Sequence, residues 1–588
     1  MRTIIEEVNS IVSNYETATI DLAEGLQYSQ YQTLKKIDYY SNSKYLKAKG
    51  NKAFYNIVNA IVDTSVVATD IDTKDIQIIA DDKKDFVRAF LLSKDVYNWM
   101  KETDFACFLN EAGETRARYG GLLVKKTEEY DEDAKENQLE LEVVHWANVV
   151  TDQCDIEDGA IIEKHYMSVS DLVAKKDLWN NVKEVVEMYA KDKKFTASGT
   201  KIPVYEVHGE FPKNLNPETP DADITEFENV CYYIGGDTSK KQFVMYREEE
   251  KESPYKYLAW KKVSKRGLGR GVVEEGFWAQ QETNDAMLAE KSAMAISSKV
   301  VFSTTSKKIG NNVNNVDNGH IIELDANESF QQVNTMSNAI PEFRSLMERW
   351  FAQYEKATAA YDSQRGETPP SGQPYRLQAL VQNQSGSMFD YRREDMGIFL
   401  TEIFNDWVIP YLMKKFNKQH LLAYEFSAEE LKMIDTNFAT NQANDKTIEA
   451  ILNGQVHKEE DYQSYFDMAL NEVQTTKAHR FIDIPKGYFN DITAKVTVLT
   501  TGEQKNKIAT MDSLNSILVT LSKIPNWRDD PVINESVSKI MELSGVGISP
   551  ATFSTKMDNT ATQPPQAQPQ SNSAQPQPMM AQTQPVMA

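Results

Sequence analysis

The amino-acid sequence predicts an α+β fold for most of the 588-residue chain. Between residues 75 and 265, short apolar segments typical of strands alternate with helical segments. Long segments of good helix formers occupy the centre, and mainly helical sequence follows them. Hydrophobic residues make up 41% and charged residues 26%, which is the ordinary balance of a globular protein. The chain can therefore bury a sizeable core, and this excludes disorder of the whole chain.

The N-terminal part is predicted to be helical before the first strand. Residues 1–50 are expected to form polar helices with scattered Tyr and Leu. Residues 51–68 form an amphipathic helix that contributes to a core, because apolar side chains recur there at helical spacing. These side chains are Phe54, Ile57, Val58, Ile61 and Val62. A short strand is predicted at residues 75–80.

The next region is predicted to mix helices and strands. Residues 85–119 are expected to be helical, and Gly120 and Gly121 break this helix before an apolar strand. The acidic run at residues 128–136 is the solvated tip of a hairpin whose second strand covers residues 139–144. Further strands are predicted at residues 160–167, 203–208, 229–233 and 241–246, with a helix at residues 170–189.

The centre is predicted to form two long helices on either side of a small β insertion. The first helix covers residues 271–298, which contain no proline and carry many small side chains that permit close approach of another helix. An Asn-rich insertion at residues 300–333 contains two short strands and a Gly/Asn turn. The second helix covers residues 342–361 and follows Pro341, a residue that is favourable in a first helical turn.

Beyond the second helix, the sequence predicts a polar loop and a third long helix. Residues 362–374 are rich in Pro and Gly, and residues 375–416 are helical, with a kink expected near Pro410. Helices and short strands are predicted further on, at residues 427–453, 458–473, 481–485, 494–500, 503–523 and 531–543. The chain from about residue 556 is rich in Pro, Gln, Ala and Met, a composition typical of disorder.

Charge and cysteine content limit the classes of function. The 87 acidic residues outnumber the 64 basic ones and give a net charge of −23, which argues against a sequence-specific nucleic-acid binder. The three cysteines form no CxxC pair, so we expect a reducing, intracellular setting and no zinc ribbon. The N-terminus lacks the apolar run of a signal peptide, and no segment is long and apolar enough to predict a membrane span.

Motifs of catalysis are missing from the sequence. The seven histidines form neither HExxH nor HxH, no GxSxG is found, and the Walker pattern GxxxxGK[ST] is absent. The glycine cluster 267–271 lacks the GxGxxG spacing of a dinucleotide fingerprint, so we expect these glycines to turn the chain sharply into the following helix. We therefore predict no catalytic residue, no cofactor and no metal site, and do not expect an enzyme.

Three segments, and the order of all the parts, resemble the portal proteins of tailed bacteriophages, also called head–tail connectors. Residues 261–284 place a basic glycine turn before a helix with polar side chains, as in a portal stem. Residues 51–68 with the strand after them resemble the core helix of that family. Residues 116–121 (RARYGG) resemble its step from helix to glycine to strand. The similarity extends from about residue 49 to residue 543.

The resemblance implies a division of the chain into named parts. An N-terminal helical segment at residues 1–50 precedes the wing at residues 51–270. The remaining parts are stem helix 1 (271–298), the clip (299–335), stem helix 2 (336–361), the tunnel loop (362–374), the long bent wing helix (375–417), the C-terminal wing and crown (418–555) and the disordered tail (556–588).

The function implied by the resemblance is that of a conduit. Portals are rings of commonly twelve subunits at one capsid vertex of the virion, through which double-stranded DNA is packaged and ejected. Partners would be the terminase large subunit, head–tail adaptor or tail proteins and the major capsid protein. The DNA-facing residues would be Gln364, Arg365 and Gln373 of the tunnel loop with Lys307 and Lys308 of the clip. Subunit packing in the stem would use Ala279, Ala286, Ala289 and Ala293.

Two other interpretations stay open from the sequence. The chain could be another structural virion protein, such as a tail adaptor or a capsid-associated scaffold. It could also be a nuclease or ATPase of the packaging machinery, although the missing Walker motif weakens the ATPase interpretation. Arg365 either faces a channel or is a surface arginine of a loop.

Overall fold

The computed structural model describes much of the chain up to residue 498. The described residues are 3–42, 54–80, 86–131, 136–191, 195–196, 198–216, 219, 221–298, 301–305, 326–333, 339–360, 375–416, 420–422, 428–453, 459–474, 481–483 and 494–498. The chain divides into two compact units, one formed by residues 1–420 with 483–504 and the other by residues 421–482 with 505–588.

Helices and strands alternate along the chain, which confirms the predicted mixture of helix and sheet. The helices are α1 (Ile4–Thr17), α2 (Gln30–Asn42), α3 (Val58–Ala68), α4 (Phe86–Glu102), α5 (Phe105–Tyr119), α6 (Val169–Ala174), α7 (Val182–Ala190), α8 (Val272–Glu275), α9 (Phe277–Ser297), α10 (Ile340–Thr358), α11 (Tyr375–Ile403), α12 (Ile409–Phe416), α13 (Ala428–Leu452) and α14 (Glu459–Gln474).

The strands cluster in the first half of the chain. They are β1 (Ile20–Ala23), β2 (Leu26–Tyr28), β3 (Ile76–Ala80), β4 (Gly121–Asp131), β5 (Glu136–Val143), β6 (Val149–Val150), β7 (Ile161–Ser168), β8 (Lys201–Pro212), β9 (Phe227–Gly235), β10 (Phe243–Glu249), β11 (Tyr255–Ala259), β12 (Val301–Thr304), β13 (Phe330–Val333), β14 (His420–Leu422), β15 (Phe481–Asp483) and β16 (Ala494–Val498).

Two antiparallel sheets dominate the first unit. Within the described residues, one sheet has the strand order β10-β9-β8-β7-β6 and the other the order β11-β4-β5. The hairpin of β4 and β5 confirms the predicted pair of strands, but residues 128–131 of the acidic run belong to β4 and not to the tip. The sequence analysis missed β11, which pairs antiparallel with β4 and places Tyr255 opposite Lys125.

Alternate residues of β8 face different neighbours, because successive side chains of a strand point to opposite faces. Tyr205 and Val207 are buried in a core that includes Ile4 and Val8 of α1. On the other face, Val204 joins a core built with residues of α6 and α7. The next side chains on that face, Glu206 and His208, are polar and contact the sheet of β4 and β11 instead.

Several predicted helices are shorter than the sequence suggested. The predicted helix 85–119 is divided into α4 and α5 at Asp104, which has a φ of 47°. The predicted helix 170–189 is divided into α6 and α7, and Asn181 before α7 has a φ of 56°. Residues 1–50 contain the hairpin of β1 and β2 between α1 and α2, where Gly25 has a φ of 76°. Left-handed residues of this kind end a helix or turn a chain.

The centre follows the predicted order of helix, strands and helix. The predicted helix 271–298 is broken at Gly276 into α8 and α9. Strand β12 pairs antiparallel with β13, so the insertion after α9 begins and ends in a β ladder. The predicted strand 320–324 and the Gly/Asn turn lie outside the described residues. Pro341 lies in the first turn of α10, as predicted.

The third long helical segment bends through a π-helical turn. Residues Phe404–Val408 form this turn between α11 and α12, just before Pro410. Proline has no N–H to donate to the preceding turn, so a wider turn at this point accommodates it. The prediction of a distortion near Pro410 is confirmed. Strand β16 then pairs with β3 and joins the C-terminal part of this unit to its N-terminal part.

The second unit contains α13 and α14, which pack against each other. Predicted helices at 503–523 and 531–543 and the predicted disordered tail lie outside the described residues. Among the helices that the structure describes, none has the length and apolar character required to cross a membrane.

Candidate functional site

Within the first unit, helices α9 and α10 form an antiparallel pair, and the ladder of β12 and β13 lies between them in the chain. The 21 residues of α9 extend over about 32 Å. At one end, the Tyr354 hydroxyl donates a 2.9 Å hydrogen bond to the carbonyl oxygen of Val272. Nearer the ladder, Arg344 Nε lies 2.7 Å from Glu290 Oε1. We call residues 272–286 with 351–360 the base of the helix pair, and residues 287–298 with 340–350 its distal half.

A glycine-rich turn delivers the chain into the base. Gly120 has a φ of +92°, and a Cβ atom added to it would lie 2.5 Å from both the Gly269 carbonyl oxygen and the Gly271 nitrogen. Two segments of backbone therefore cross in direct contact, at a distance that only glycine allows. The Trp260 amide donates a 2.8 Å hydrogen bond to the Gly120 carbonyl at this crossing. The glycines of the cluster precede the helix, as predicted, but they permit this close backbone contact, and the left-handed residue of the turn is Lys265, with a φ of 65°.

An ion pair between a buried arginine and a partly buried glutamate fixes this turn to α8. Both guanidinium NH groups of Arg266 contact the Glu274 carboxylate, at 2.9 and 2.8 Å. The same guanidinium also donates to the carbonyl oxygens of Leu268 and Gly269, at 2.7 and 2.9 Å. It lies over the ring of Tyr28, and only 1% of the Arg266 side chain is exposed. A bidentate pair of this kind restricts geometry as well as contributing energy.

Two of the polar side chains in the segment that resembles a portal stem form hydrogen bonds within this chain. Gln280 accepts a 3.0 Å hydrogen bond from the Ile57 amide and donates a 2.6 Å bond to the Tyr55 carbonyl. Asn284 accepts from the Tyr55 amide at 3.1 Å. Both amide side chains are buried, so they attach the segment before α3 to the base of the helix pair.

The predicted packing alanines occupy different environments. Ala279 and Ala286 are buried in the base, and Ala279 belongs to the core that contains Tyr354. Ala289 and Ala293 lie half-buried in the distal half, where no residue between 287 and 298 is buried. Gly276 lies against the ring of Tyr354. A Cβ atom at this position would lie 2.5 Å from the ring, so only glycine fits there. Small residues at the base therefore serve packing within one chain.

The predicted DNA-facing residues lie outside the described residues. These are Gln364, Arg365 and Gln373 of the predicted tunnel loop and Lys307 and Lys308 of the predicted clip. Their roles stay predictions from the resemblance.

A second candidate site is a layer of buried charged side chains between the two large sheets. The Lys125 ammonium lies 2.5 Å from Glu206 Oε2 and 3.2 Å from Glu163 Oε2. His165 Nε2 is 2.7 Å from Glu206 Oε2, and His208 Nε2 is 2.9 Å from Glu206 Oε1. The Tyr233 hydroxyl donates to Glu206 Oε1 at 2.6 Å. The Glu206 carboxylate is therefore the centre of this layer.

The charges in this layer depend on one another. Burial opposes the charged form of Glu206, but hydrogen bonds from His165 and His208 and the charge of Lys125 outweigh it and hold the pKa of that carboxyl well below its usual range. Burial also disfavours the imidazolium of His208, yet hydrogen bonds with Cys231, Glu206 and Glu250 raise the pKa of His208 to about 11. Burial raises the pKa of the Cys231 thiol.

This layer was not predicted, because its residues follow the spacing of strands and not the helical and loop spacings of the common catalytic motifs. The signal is the pattern Glu-x-His, which occurs at Glu163 with His165 and at Glu206 with His208. On a strand this spacing places both side chains on one face. Cross-strand pairing then opposes Glu163 to Glu206 and His208 to Cys231, and no local motif encodes those pairs.

A comparison of the chain with models of known protein families and with curated protein sequences finds no match. Its function is therefore argued from its own residues.

Proposed function

We propose that this chain is the subunit of a phage portal, a ring that conducts double-stranded DNA into and out of a capsid at one vertex. The observation that carries the proposal is the order of α9, the ladder of β12 and β13, and α10. An antiparallel helix pair with a β ladder between its helices in the chain agrees with the stem and clip that the sequence resemblance implies.

Exposure of the helix pair supports assembly with further copies. The distal half of α9 buries no residue in the single chain, and Met294 and Ile296 are 41% and 58% exposed. The half-buried Ala289 and Ala293 leave little side chain between α9 and a helix beside it. Copies that repeat one head-to-tail contact form a ring when the rotation closes. We propose that neighbouring subunits cover the distal half in this way, in a ring of twelve.

The acidic composition agrees with a conduit for DNA. Contacts from Lys and Arg to phosphates strengthen binding through the release of counterions, so many such contacts around a channel would retain the duplex. A chain with a net charge of −23 repels DNA in general and leaves room for a few contacts. We propose that Gln364, Arg365, Gln373, Lys307 and Lys308 supply those contacts, without sequence specificity. Packaging and genome retention by a phage carrying Arg365→Glu test this part, and unchanged values would contradict it.

In this proposal the chain is a docking platform and not a motor. A separate terminase large subunit hydrolyses ATP, head–tail adaptor or tail proteins attach below, and the major capsid protein surrounds the ring. The second candidate is another structural virion protein, such as a tail adaptor or scaffold. Both lack catalysis, so they differ in the shape of the assembly.

Electron micrographs of the purified full-length protein distinguish these candidates. A portal gives ring-shaped particles with a central channel wide enough for a DNA duplex. Particles without a channel would contradict the proposal and favour a scaffold. A parallel incubation with DNA and Mg²⁺ tests the enzymatic alternative, because a nuclease would cleave the DNA and a portal would leave it intact.

A further inference from the structure

Three donor atoms of different chemistry meet in the buried layer between the two large sheets. Glu206 and His208 lie on one face of β8, and Cys231 lies opposite His208 on β9. One carboxylate oxygen, one imidazole nitrogen and the sulfur atom all lie within 4.8 Å of one another. All three residues are buried: Glu206 is 3% exposed, and His208 and Cys231 are each 5% exposed.

We propose that Glu206, His208 and Cys231 bind one divalent metal ion of the zinc type. Tetrahedral zinc with Zn–S near 2.3 Å and Zn–N near 2.0 Å separates nitrogen from sulfur by about 3.6 Å and nitrogen from oxygen by about 3.3 Å. His208 Nε2 lies 3.8 Å from Cys231 Sγ and 2.9 Å from Glu206 Oε1. Both separations are within about 0.4 Å of the tetrahedral values, a shift that side-chain rotation supplies.

The arrangement around His208 is that of a metal-binding histidine. Its other ring nitrogen, Nδ1, lies 3.0 and 2.9 Å from the two carboxylate oxygens of Glu250. A carboxylate that accepts from one ring nitrogen fixes the orientation of the imidazole and leaves the other nitrogen for the metal. This outer carboxylate belongs to the segment directly after β10, and β9 separates that strand from β8, so one sheet holds both the ligand and its support.

The layer carries enough negative charge to compensate a divalent ion. The layer holds the carboxylates of Glu163, Glu206 and Glu250 against the single ammonium of Lys125. Metal ligands bind in their deprotonated form, so an ion at this site would displace the thiol proton of Cys231. The three carboxylates and the thiolate would then compensate the two positive charges of the ion and the ammonium of Lys125.

The chemistry of the donor atoms decides which ion binds and in which half of the layer it binds. Sulfur and imidazole suit zinc and similar transition metals, whereas calcium and magnesium prefer oxygen ligands. The second group of possible ligands, Glu163, His165 and Glu206, has no sulfur. In that group the Lys125 ammonium contacts Glu163 at 3.2 Å as well as Glu206, the carboxylate that both groups share. The site is therefore assigned to the half that contains Cys231.

Cobalt is the probe, because Co²⁺ replaces Zn²⁺ and reports its ligands by colour. Full-length protein treated with a chelator is titrated with Co²⁺ and then with Zn²⁺. We expect one equivalent of cobalt per chain, with tetrahedral bands in the visible range and a thiolate charge-transfer band in the near ultraviolet. Zinc should abolish these bands. The Cys231→Ser variant should lose the charge-transfer band, whereas Cys107→Ser and Cys154→Ser, which alter exposed cysteines, should keep it.

A measurement on the unmodified chain covers the case in which Cys231→Ser does not fold. Alkylation of the three cysteines in mild denaturant is followed by mass spectrometry, with zinc and with chelator. We expect zinc to slow the modification of Cys231 at least several-fold and to leave Cys107 and Cys154 unchanged.

Two outcomes would overturn the site. The absence of both the charge-transfer band and zinc protection would mean that the layer is an ionic network only. Loss of the band in Cys107→Ser or Cys154→Ser would assign binding to exposed thiols. Neither readout depends on ring assembly, so this inference and the proposed function fail separately.

Discussion

The base and the distal half of the helix pair differ in how one chain stabilises them. The base is fixed by the Gly120 crossing, by the ion pair of Arg266 and Glu274, and by the hydroxyl of Tyr354. In the distal half, the corresponding pair of Arg344 and Glu290 has an arginine that is 58% exposed. A single chain therefore fixes the helix pair through buried contacts at its base and buries no residue in its distal half.

The largest effect is expected at the backbone crossing. Gly120→Ala places a Cβ atom 2.5 Å from two backbone atoms at a φ of +92°, so we expect a loss of about 3–5 kcal/mol of stability or failure to fold. Thermal unfolding of the purified protein measures this. Gly113→Ala is the matched control, because its Cβ atom meets nothing closer than 3.8 Å in the middle of a helix. Gly113→Ala should leave the stability unchanged or raise it. Equal losses of stability in both variants would contradict the importance of the backbone crossing.

The second effect compares the two ion pairs. Arg266→Met removes a buried guanidinium and leaves the partly buried Glu274 carboxylate and two carbonyl oxygens without that donor, so we expect a loss of about 3 kcal/mol. Arg344→Met removes an exposed partner and should cost less than about 1 kcal/mol. Denaturant unfolding of both variants gives the two values. If Arg344→Met lost as much stability as Arg266→Met, the proposed difference between the distal half and the base would be wrong.

A smaller effect on stability is expected at alkaline pH, where tyrosine ionises. Burial raises the pKa of Tyr354 far above its usual value of about 10, so this hydroxyl stays neutral in the fold while it ionises in the unfolded chain. Its stabilising contribution is therefore complete below pH 10 and declines above it by about 1.4 kcal/mol per pH unit.

Tyr354→Phe tests this contribution. The variant loses the hydrogen bond to Val272 and should be about 1 kcal/mol less stable at pH 8. Its deficit should shrink when unfolding is measured at pH 10.5 and 11. A deficit that stays constant with pH would mean that the hydroxyl is not protected at the base. Tyr391→Phe, which removes an exposed hydroxyl, serves as the control.

The sequence predicted elements better than it predicted their contacts. The helices of the pair, Pro341 in a first turn and the hairpin of β4 and β5 follow from periodicity and composition, which are local properties. The breaks at Asp104 and Gly276 were missed because each depends on a tertiary neighbour or on a left-handed residue. At Gly276 that neighbour is Tyr354, which lies far away in the sequence.

The two candidate sites show the same limit. The sequence predicted that the glycine cluster would turn the chain, but not that Gly120 would meet it, since that contact joins residues about 150 positions apart. The pairs Glu163 with His165 and Glu206 with His208 are visible in the sequence, whereas the pairing of Cys231 with His208 is set by strand register. Long-range register is not encoded in any single segment.

The mass of the purified full-length protein tests the central claim most directly. Twelve copies of the 66.9 kDa chain give a ring of about 800 kDa. We expect native mass spectrometry to show this mass or that of a ring of similar subunit number, and Ala293→Glu to reduce it without lowering the melting temperature of the subunit. Ala106→Glu, at an exposed position of α5, is the matched control. A wild-type protein with the mass of a single chain would contradict the portal proposal.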